Sequence, residues 1–363
     1  MNLLFDIGHP GQVHLFRHVI NILKDRGHDI TVTTKDIPSI KILLEKHNIP
    51  YISLGEKSDS IFKKALNQLR YNYNLHKIVS SKEIDIGIGS SLTVAQVSKL
   101  SRMKSIILDD DDTNAVKLFS WFAHPFANNI LSPSALAHDR KRKKDILYAG
   151  THELFYLHPN YFTPDPNILE TIGVSPYETF FVLRFVAGKA YHDIGEDWLN
   201  LNQKLTLINT LKNHGKVFIT TEREIEPELE KWKLNISPEK IHHLLYYSTM
   251  FIGDSQTMTS EAAILGTPAY KCNSFAHRLS VPNMLEKKYG LCYSYRVSEF
   301  DLLLSKISTD LATPNIKNLW LQKKEKFLSD SIDPTAFLVW FIENYPESAK
   351  IMKEYPNYQY NFK

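Results

Sequence analysis

The sequence predicts an α/β protein built from two successive doubly wound parallel-sheet domains, and three observations carry that prediction. Short apolar runs alternate with helix-length amphipathic stretches along most of the chain. The alternation breaks once, in a cluster of prolines near the middle. The length, 363 residues, exceeds the size at which one hydrophobic core usually keeps growing.

In the first half the apolar runs are LLFDIG (3–8), DITVTT (29–34), YISLG (51–55), DIGIG (85–89), SIILDDD (105–111) and NILSPS (129–134). Each has strand length, and the spacing leaves room for helices, which is the pattern of βαβ units. Between the first two runs, Val13, Phe16, Val19, Ile20 and Leu23 recur at helical spacing and the pattern stops at Gly27, as expected of a helix buried on one face with a glycine cap. From His158 to Pro176 the periodicity is lost among Pro159, Pro164, Pro166 and Pro176, which marks a linker over 158–176. A second series follows: TFFVLRF (179–185), KVFITT (216–221), MFIGD (250–254), PAYKC (268–272) and LCYSYR (291–296). The expected organisation is a Rossmann-like domain over 1–157, a second over 177–332 facing it across a cleft, and a C-terminal helix and tail over 333–363. The tail either packs back across the cleft or forms ordered surface.

Composition narrows the function classes. Hydrophobic residues make up 43% and charged residues 23%, the balance of a globular chain with an ample core. No run approaches the roughly 20 apolar residues that span a bilayer, and Met1 leads straight into a strand without a signal-peptide pattern. A cytoplasmic location is therefore expected. A net charge of +3 does not suggest a nucleic-acid binder. Cys272 and Cys292 provide neither a disulfide framework nor a cysteine zinc site and should be buried apolar residues. Two segments are locally basic: HDRKRKK (138–144), and the Lys63–Lys77 region, where Leu66, Leu69, Tyr71, Tyr73 and Leu75 interleave with Lys63, Lys64, Arg70 and Lys77. The second suits a solvated helix, or peripheral contact with the anionic inner face of a membrane.

Open parallel sheets bind ligands beyond the carboxyl ends of their strands, so the turns after the apolar runs hold the candidate chemistry. The first turn, Phe5 to His14, carries Gly8 and Gly11, which allow close approach of a donor's phosphates to a helix start. His14 is a candidate general base there, or else a packing or capping histidine; His9, before Pro10, reads as a conformational turn residue. A second turn runs from Gly253 to Pro268, where Ser255, Gln256, Thr257 and Thr259 open a helix suited to a diphosphate. Glu261, one turn further in, could accept the hydroxyls of a ribose; its other reading is an N-terminal helix charge of capping-box type. After TFFVLRF come Arg184, Lys189, His192 and Asp193. Arg184 and Lys189 could neutralise a leaving diphosphate without metal, or be ordinary surface cations.

Asp109 to Asp112 form the most conspicuous acidic run, able to supply a base, hold sugar hydroxyls or bind a cation. On an extended segment adjacent side chains point to opposite faces, so at most two should converge. Asp110 and Asp112, with His14, are the catalytic candidates. The run lacks the spacing of a metal loop, so neither metal nor cofactor is expected.

The Gly253–Pro268 stretch, with its strand ending in Asp-Ser and a helix carrying Glu, Ala and then Leu-Gly-x-Pro, resembles the second-domain motif of GT-B-fold nucleotide-sugar enzymes. These include the non-hydrolysing UDP-N-acetylglucosamine 2-epimerases. DIGHPGQVHLFRHVI, HELFYLHPNYFTPD and LRFVAGKAYHDIG are similar to the pattern of uncharacterised bacterial and archaeal glycosyltransferase-like proteins known as a domain of unknown function; this resemblance covers about residues 1–330. It implies the GT-B fold, with Ser255, Thr257, Thr259 and Glu261 taking the diphosphate and ribose of a UDP-sugar and Arg184 its phosphates. The paired acidic and histidine catalytic residues of the epimerases have no complete counterpart here. The expected function is transfer of a sugar from a nucleotide-sugar donor to a glycan or lipid-linked acceptor in cell-surface polysaccharide assembly. The alternatives are a nucleotide-sugar epimerase or hydrolase, and a non-catalytic nucleotide-sugar-binding protein.

Overall fold

Every strand pairs in parallel with its neighbours, in two separate sheets. The computed structural model describes residues 1–56, 61–185, 198–221 and 224–363, the side chains of 61–65 excepted. One compact unit comprises residues 1–161 with 331–363, and a second comprises 162–330.

In the first unit β1 (Asn2–Ile7), β2 (Asp29–Asp36), β3 (Ile52–Glu56), β4 (Ile86–Gly89), β5 (Lys104–Leu108), β6 (Asn129–Pro133) and β7 (Asp145–Tyr148) lie in the order β3-β2-β1-β4-β5-β6-β7. Six of these are the apolar runs of the sequence. The seventh, β7, was not anticipated: as an edge strand paired only with β6, it buries alternate residues and shows no apolar run. Leu3, Leu4, Phe5 and Ile7 of β1 are fully buried at the centre of the sheet. The chain builds outward from β1 to β3, then returns to lay β4 on the other side of β1, so the β1/β4 boundary is a topological switch point.

Local chemistry fixes the helix that leaves this point. Its Nδ1 accepting from the Gly11 amide at 3.2 Å, His9 caps the Pro10–Asp25 helix, and Pro10 occupies a first-turn position that needs no amide hydrogen. The helix buries Val13, Phe16, Val19, Ile20 and Leu23 and ends before Gly27, whose φ of +84° is the left-handed conformation that a glycine cap supplies. The C-terminal segment belongs to this unit. Asp333 caps the Pro334–Glu343 helix, which buries Phe337, Leu338, Phe341 and Ile342; Glu343 meets Arg26 at 2.6 Å, and Gln359 accepts the Ala149 amide at 2.6 Å.

The second unit contains β8 (Phe180–Arg184), β9 (Lys216–Thr220), β10 (Met250–Gly253), β11 (Ala269–Cys272) and β12 (Cys292–Tyr295) in the order β12-β11-β10-β8-β9. All five apolar runs are strands, and the β8/β10 boundary is the switch point. Within 158–176 the chain forms a short helix, Asn167–Thr171. Cys272 and Cys292 are buried free thiols. Among the described residues no helix is long and apolar enough to cross a membrane.

Candidate functional site

The two switch points share one local construction. In the first unit β4 ends in Gly89, followed by Ser90 and then Ser91, which caps the Leu92–Val97 helix by accepting the Val94 amide at 3.2 Å. In the second unit β10 ends in Gly253, followed by Asp254 and then Ser255, which caps the Gln256–Ile264 helix by accepting the Met258 amide at 3.4 Å. Both glycines are forced by close approach: an added Cβ would lie 2.6 Å from the Asp6 carbonyl oxygen at Gly89, and 2.4 Å from that of Arg184 at Gly253. Asp6 of β1 and Arg184 of β8 therefore occupy corresponding positions.

The difference between those two residues separates the sites. Asp6 is buried, and its carboxylate accepts hydrogen bonds from Ser91 and, at 2.7 Å, from Thr33. The anion beside the first helix start is thus internal. In the second unit a cation, Arg184, stands at the equivalent position beside a helix start that itself attracts anions. A third source of positive charge lies alongside: Lys271 of β11, almost fully buried, donates to Oε1 of Gln256, and burial lowers its pKa to about 8. Asn273 holds the loop by donating to the Asp254 carbonyl at 2.7 Å. A diphosphate is the ligand class such a concentration of cations and free amides suits.

The remaining predicted donor residues divide. Thr257 is exposed on the first turn, whereas the Thr259 hydroxyl donates to the Ser255 carbonyl at 2.7 Å and so braces the turn. Glu261 is not part of a capping box, because the third residue after the cap is Met258. It is buried, with Oε1 3.0 Å from Nε2 of His242, a partner on the Ile241–Tyr247 helix that the sequence did not suggest. Lys189, His192 and Asp193 lie outside the described residues. Gly8 is exposed and donates its amide to Gln12 Oε1 at 2.8 Å; Gly11 is the amide that His9 accepts.

The acidic run sits at the carboxyl end of β5, and here the structure corrects the expectation that at most two carboxylates converge. Asp109, Asp110 and Asp111 each offer an oxygen within 4.8 Å of the others. The strand ends at Leu108 and the chain bends, with the Asp111 amide donating back to Asp109 Oδ1 at 3.2 Å, so the alternation of an extended strand no longer applies. Asp112 instead faces His138, at 3.3 Å. Three such oxygens could ligate a divalent cation. Asp109 is already committed, however: Arg140 donates to its Oδ2 at 2.7 Å, and His124 Nε2 lies 2.7 Å from the same oxygen. Arg142, which can only donate, contacts His124 Nδ1 at 2.7 Å and so fixes the Nε2–H tautomer. Within the basic run at 138–144, Arg140 is in this way an internal counter-charge to the acidic run, while Lys141, Arg142 and Lys143 are exposed.

Asp110 has a different partner. Its side chain is 36% exposed, and Oδ1 lies 3.1 Å from Nδ1 of His152, which follows β7. Burial opposes both charges, yet each holds the other ionised: Asp110 lies below the ordinary carboxylate range and His152 above the ordinary imidazole range. Around them, burial and then the Asp110 charge raise both Asp111 and Glu153 to about 7. The Tyr148 ring stacks parallel to His152 at 6.5 Å, and among the described residues neither the Tyr148 hydroxyl nor His152 Nε2 has a hydrogen-bond partner. An ion pair flanked by two carboxyls that titrate near neutrality is equipped to take or give a proton. His14 lies within the Pro10–Asp25 helix, only 6% exposed, with the Tyr156 and His47 rings at 5.5 and 6.0 Å.

Two doubly wound parallel sheets with their switch-point turns define an α/β protein of the GT-B type. The chain belongs to the family described as "Protein of unknown function (DUF354)", whose model matches residues 1–307. An uncharacterised protein of Methanocaldococcus jannaschii is 22% identical over 288 residues, 75% of this chain and 82% of that one. Among solved structures, UDP-GlcNAc 2-epimerase from Neisseria meningitidis bound to UDP-GlcNAc is similar with a TM-score of 0.68 at 11% identity, covering 94% of this chain and 99% of that one. The Methanocaldococcus jannaschii UDP-GlcNAc 2-epimerase in complex with UDP-GlcNAc and UDP gives 0.63 at 12%, covering 86% and 93%. A spinosyn rhamnosyltransferase complexed with spinosyn aglycone gives 0.61 at 11%, covering 95% and 100%. At these identities the likeness is one of fold.

Proposed function

We propose that the protein is a glycosyltransferase that takes a sugar from a nucleotide donor, a UDP-sugar, and passes it to a glycan or lipid-linked acceptor in the cytoplasm. The observation that carries this reading is the replacement of an internal anion, Asp6, by a cation, Arg184, at the equivalent switch point of the second unit, beside a serine-capped helix start and Lys271. A cation held at a helix start is favourable when an anion lies between them, and a diphosphate supplies two charged groups. Ser255, Gln256 and Thr257 would receive it, and Glu261, fixed by His242, would take the ribose hydroxyls. The neighbours bound to UDP-GlcNAc, UDP and an aglycone support the ligand class.

In the transfer, the acceptor hydroxyl forms a bond to the anomeric carbon as the bond from that carbon to the diphosphate breaks. The base takes the hydroxyl proton, and Arg184 and Lys271 stabilise the departing charge. Asp110, paired with His152, is the proposed base; His14 is the second candidate. Thermal-shift titration with UDP and UDP-sugars tests the donor site: UDP should raise the melting temperature of the wild type and do so much less in Arg184→Ala. A panel of nucleoside diphosphates and sugar nucleotides that leaves the wild type unmoved sinks the reading. Free sugar or an epimer released from donor alone would assign the site to a hydrolase or epimerase, and tight binding without turnover for any acceptor would assign it to a binding protein.

A further inference from the structure

In the first unit, three helices covering one side of the sheet carry an unusual surface. The Ile61–Ser81 helix, the Leu92–Val97 helix and the Lys117–Phe122 helix are tied together by Gln68 donating to Thr93 at 3.1 Å, Asn72 donating to Gln96 at 2.7 Å, and Gln96 donating to the Phe122 carbonyl at 3.2 Å. Their inner residues, Tyr71, Leu75, Val79, Val94, Val97 and Ala123, are core. Their outer residues are apolar as well. Leu66, Leu69 and Tyr73 on the first helix, and Leu118, Trp121 and Phe122 on the third, are each between 51 and 71% exposed. Single exposed leucines are ordinary, but a group of this size that includes a tryptophan marks an interaction surface.

Charge identifies the partner. Over residues 66–82, 92–104 and 115–128 the chain has Arg70, Lys77 and Lys82, then Lys99, Arg102 and Lys104, then Lys117, and not one aspartate or glutamate, in a protein with 43 basic and 40 acidic residues overall. Apolar side chains with a tryptophan and a tyrosine among them, on helices whose charged residues over these spans are all cations, match the two layers of an anionic lipid surface: acyl boundary and headgroups. A second copy of the chain fits poorly, since a two-fold contact would set the cations of these helices against each other. We infer that this three-helix face docks the protein on an anionic membrane, with Leu118, Trp121 and Phe122 entering the acyl boundary and the surrounding lysines and arginines meeting lipid phosphates. The inference stands on the first unit alone and is independent of the enzymatic reading.

The test uses the full chain with vesicles of phosphatidylcholine alone and of phosphatidylcholine mixed with phosphatidylglycerol. The wild type should float with the mixed vesicles, bind the neutral ones at least about tenfold more weakly, and release as salt is raised. A blue shift of tryptophan emission on binding should be absent in Trp121→Phe. Leu118→Ser with Trp121→Ser, and separately Lys77→Glu with Lys117→Glu, should each weaken flotation by about tenfold or more with the far-ultraviolet spectrum unchanged, while Leu302→Ser on the other unit has no effect. Equal binding to both vesicle types, no binding to either, or a dimer that the Leu118→Ser/Trp121→Ser change dissociates would each overturn the inference.

Discussion

Glu153 offers a test of the proton chemistry that needs no substrate. Its carboxyl is buried and close to Asp110, and burial first and the Asp110 charge second raise its pKa from 4.5 to about 7. A carboxyl raised on folding binds its proton more tightly in the native state. Its contribution to stability is therefore whole below about pH 4 and is lost as pH rises through about 7. The shift amounts to about 3 kcal/mol of native-state penalty once both states are ionised. Glu153→Gln has nearly the shape of the neutral acid and cannot ionise. Urea unfolding of wild type and variant, followed by circular dichroism near pH 5 and near pH 8, should show the variant's relative stability improving by about 2 to 3 kcal/mol between the two conditions. Asp111 titrates in both proteins and largely cancels in the comparison. A gap independent of pH, or one that grows toward acid, would refute the placement of a proton on Glu153 near neutrality.

Three further outcomes are expected. Asp110→Asn and His152→Gln should each lower turnover by roughly 10²- to 10⁴-fold while leaving donor affinity nearly intact; if His14→Ala does this and they do not, the base is His14. Transfer should persist in a chelator, because Arg184 and Lys271 are assigned the charge neutralisation, whereas complete loss restored by magnesium would give that work to a cation on Asp109, Asp110 and Asp111. Arg140→Met should cost about 3 to 5 kcal/mol in unfolding experiments by removing the buried partner of Asp109, and a cost below about 1 kcal/mol would mean that His124 alone satisfies that carboxyl.

Most strands legible in the sequence are buried along their length, which leaves an unbroken apolar run, though the edge strands β3 and β12 were legible too. β7 escaped for the converse reason: Asp145 and Leu147 are only partly buried at a sheet edge, and a four-residue run with one polar end carries little signal. The Ser255 turn was legible because its glycine and hydroxyls fall within seven residues after an apolar run, Gly253 to Thr259. The Asp110–His152 pair was not, since it joins residues 42 positions apart that meet only through the order β5-β6-β7. A separation of 31 positions likewise hid the relation of Arg140 to Asp109. Read locally, 138–144 is only a basic segment; in the fold, Arg140 is buried and spends its donors on Asp109, Ser132, Thr113, Asp139 and the Asp111 carbonyl.

The two switch points extend that argument from neighbours in space to equivalent positions. Strand, glycine, one residue, serine and helix occur twice, and in each unit the glycine is required by the carbonyl of the first strand's last turns. The geometry that could receive an anion is thus a property of the fold, produced wherever a doubly wound sheet reverses its direction of growth. One side chain distinguishes the two units there. With Asp6 the first unit supplies its own carboxylate, and Ser91 and Thr33 satisfy it. With Arg184 the second unit adds charge of the same sign as the helix start, and Lys271 adds more. Arg184 and Lys271 place positive charge beside that helix start, and this is the electrostatics that the proposed donor diphosphate would meet.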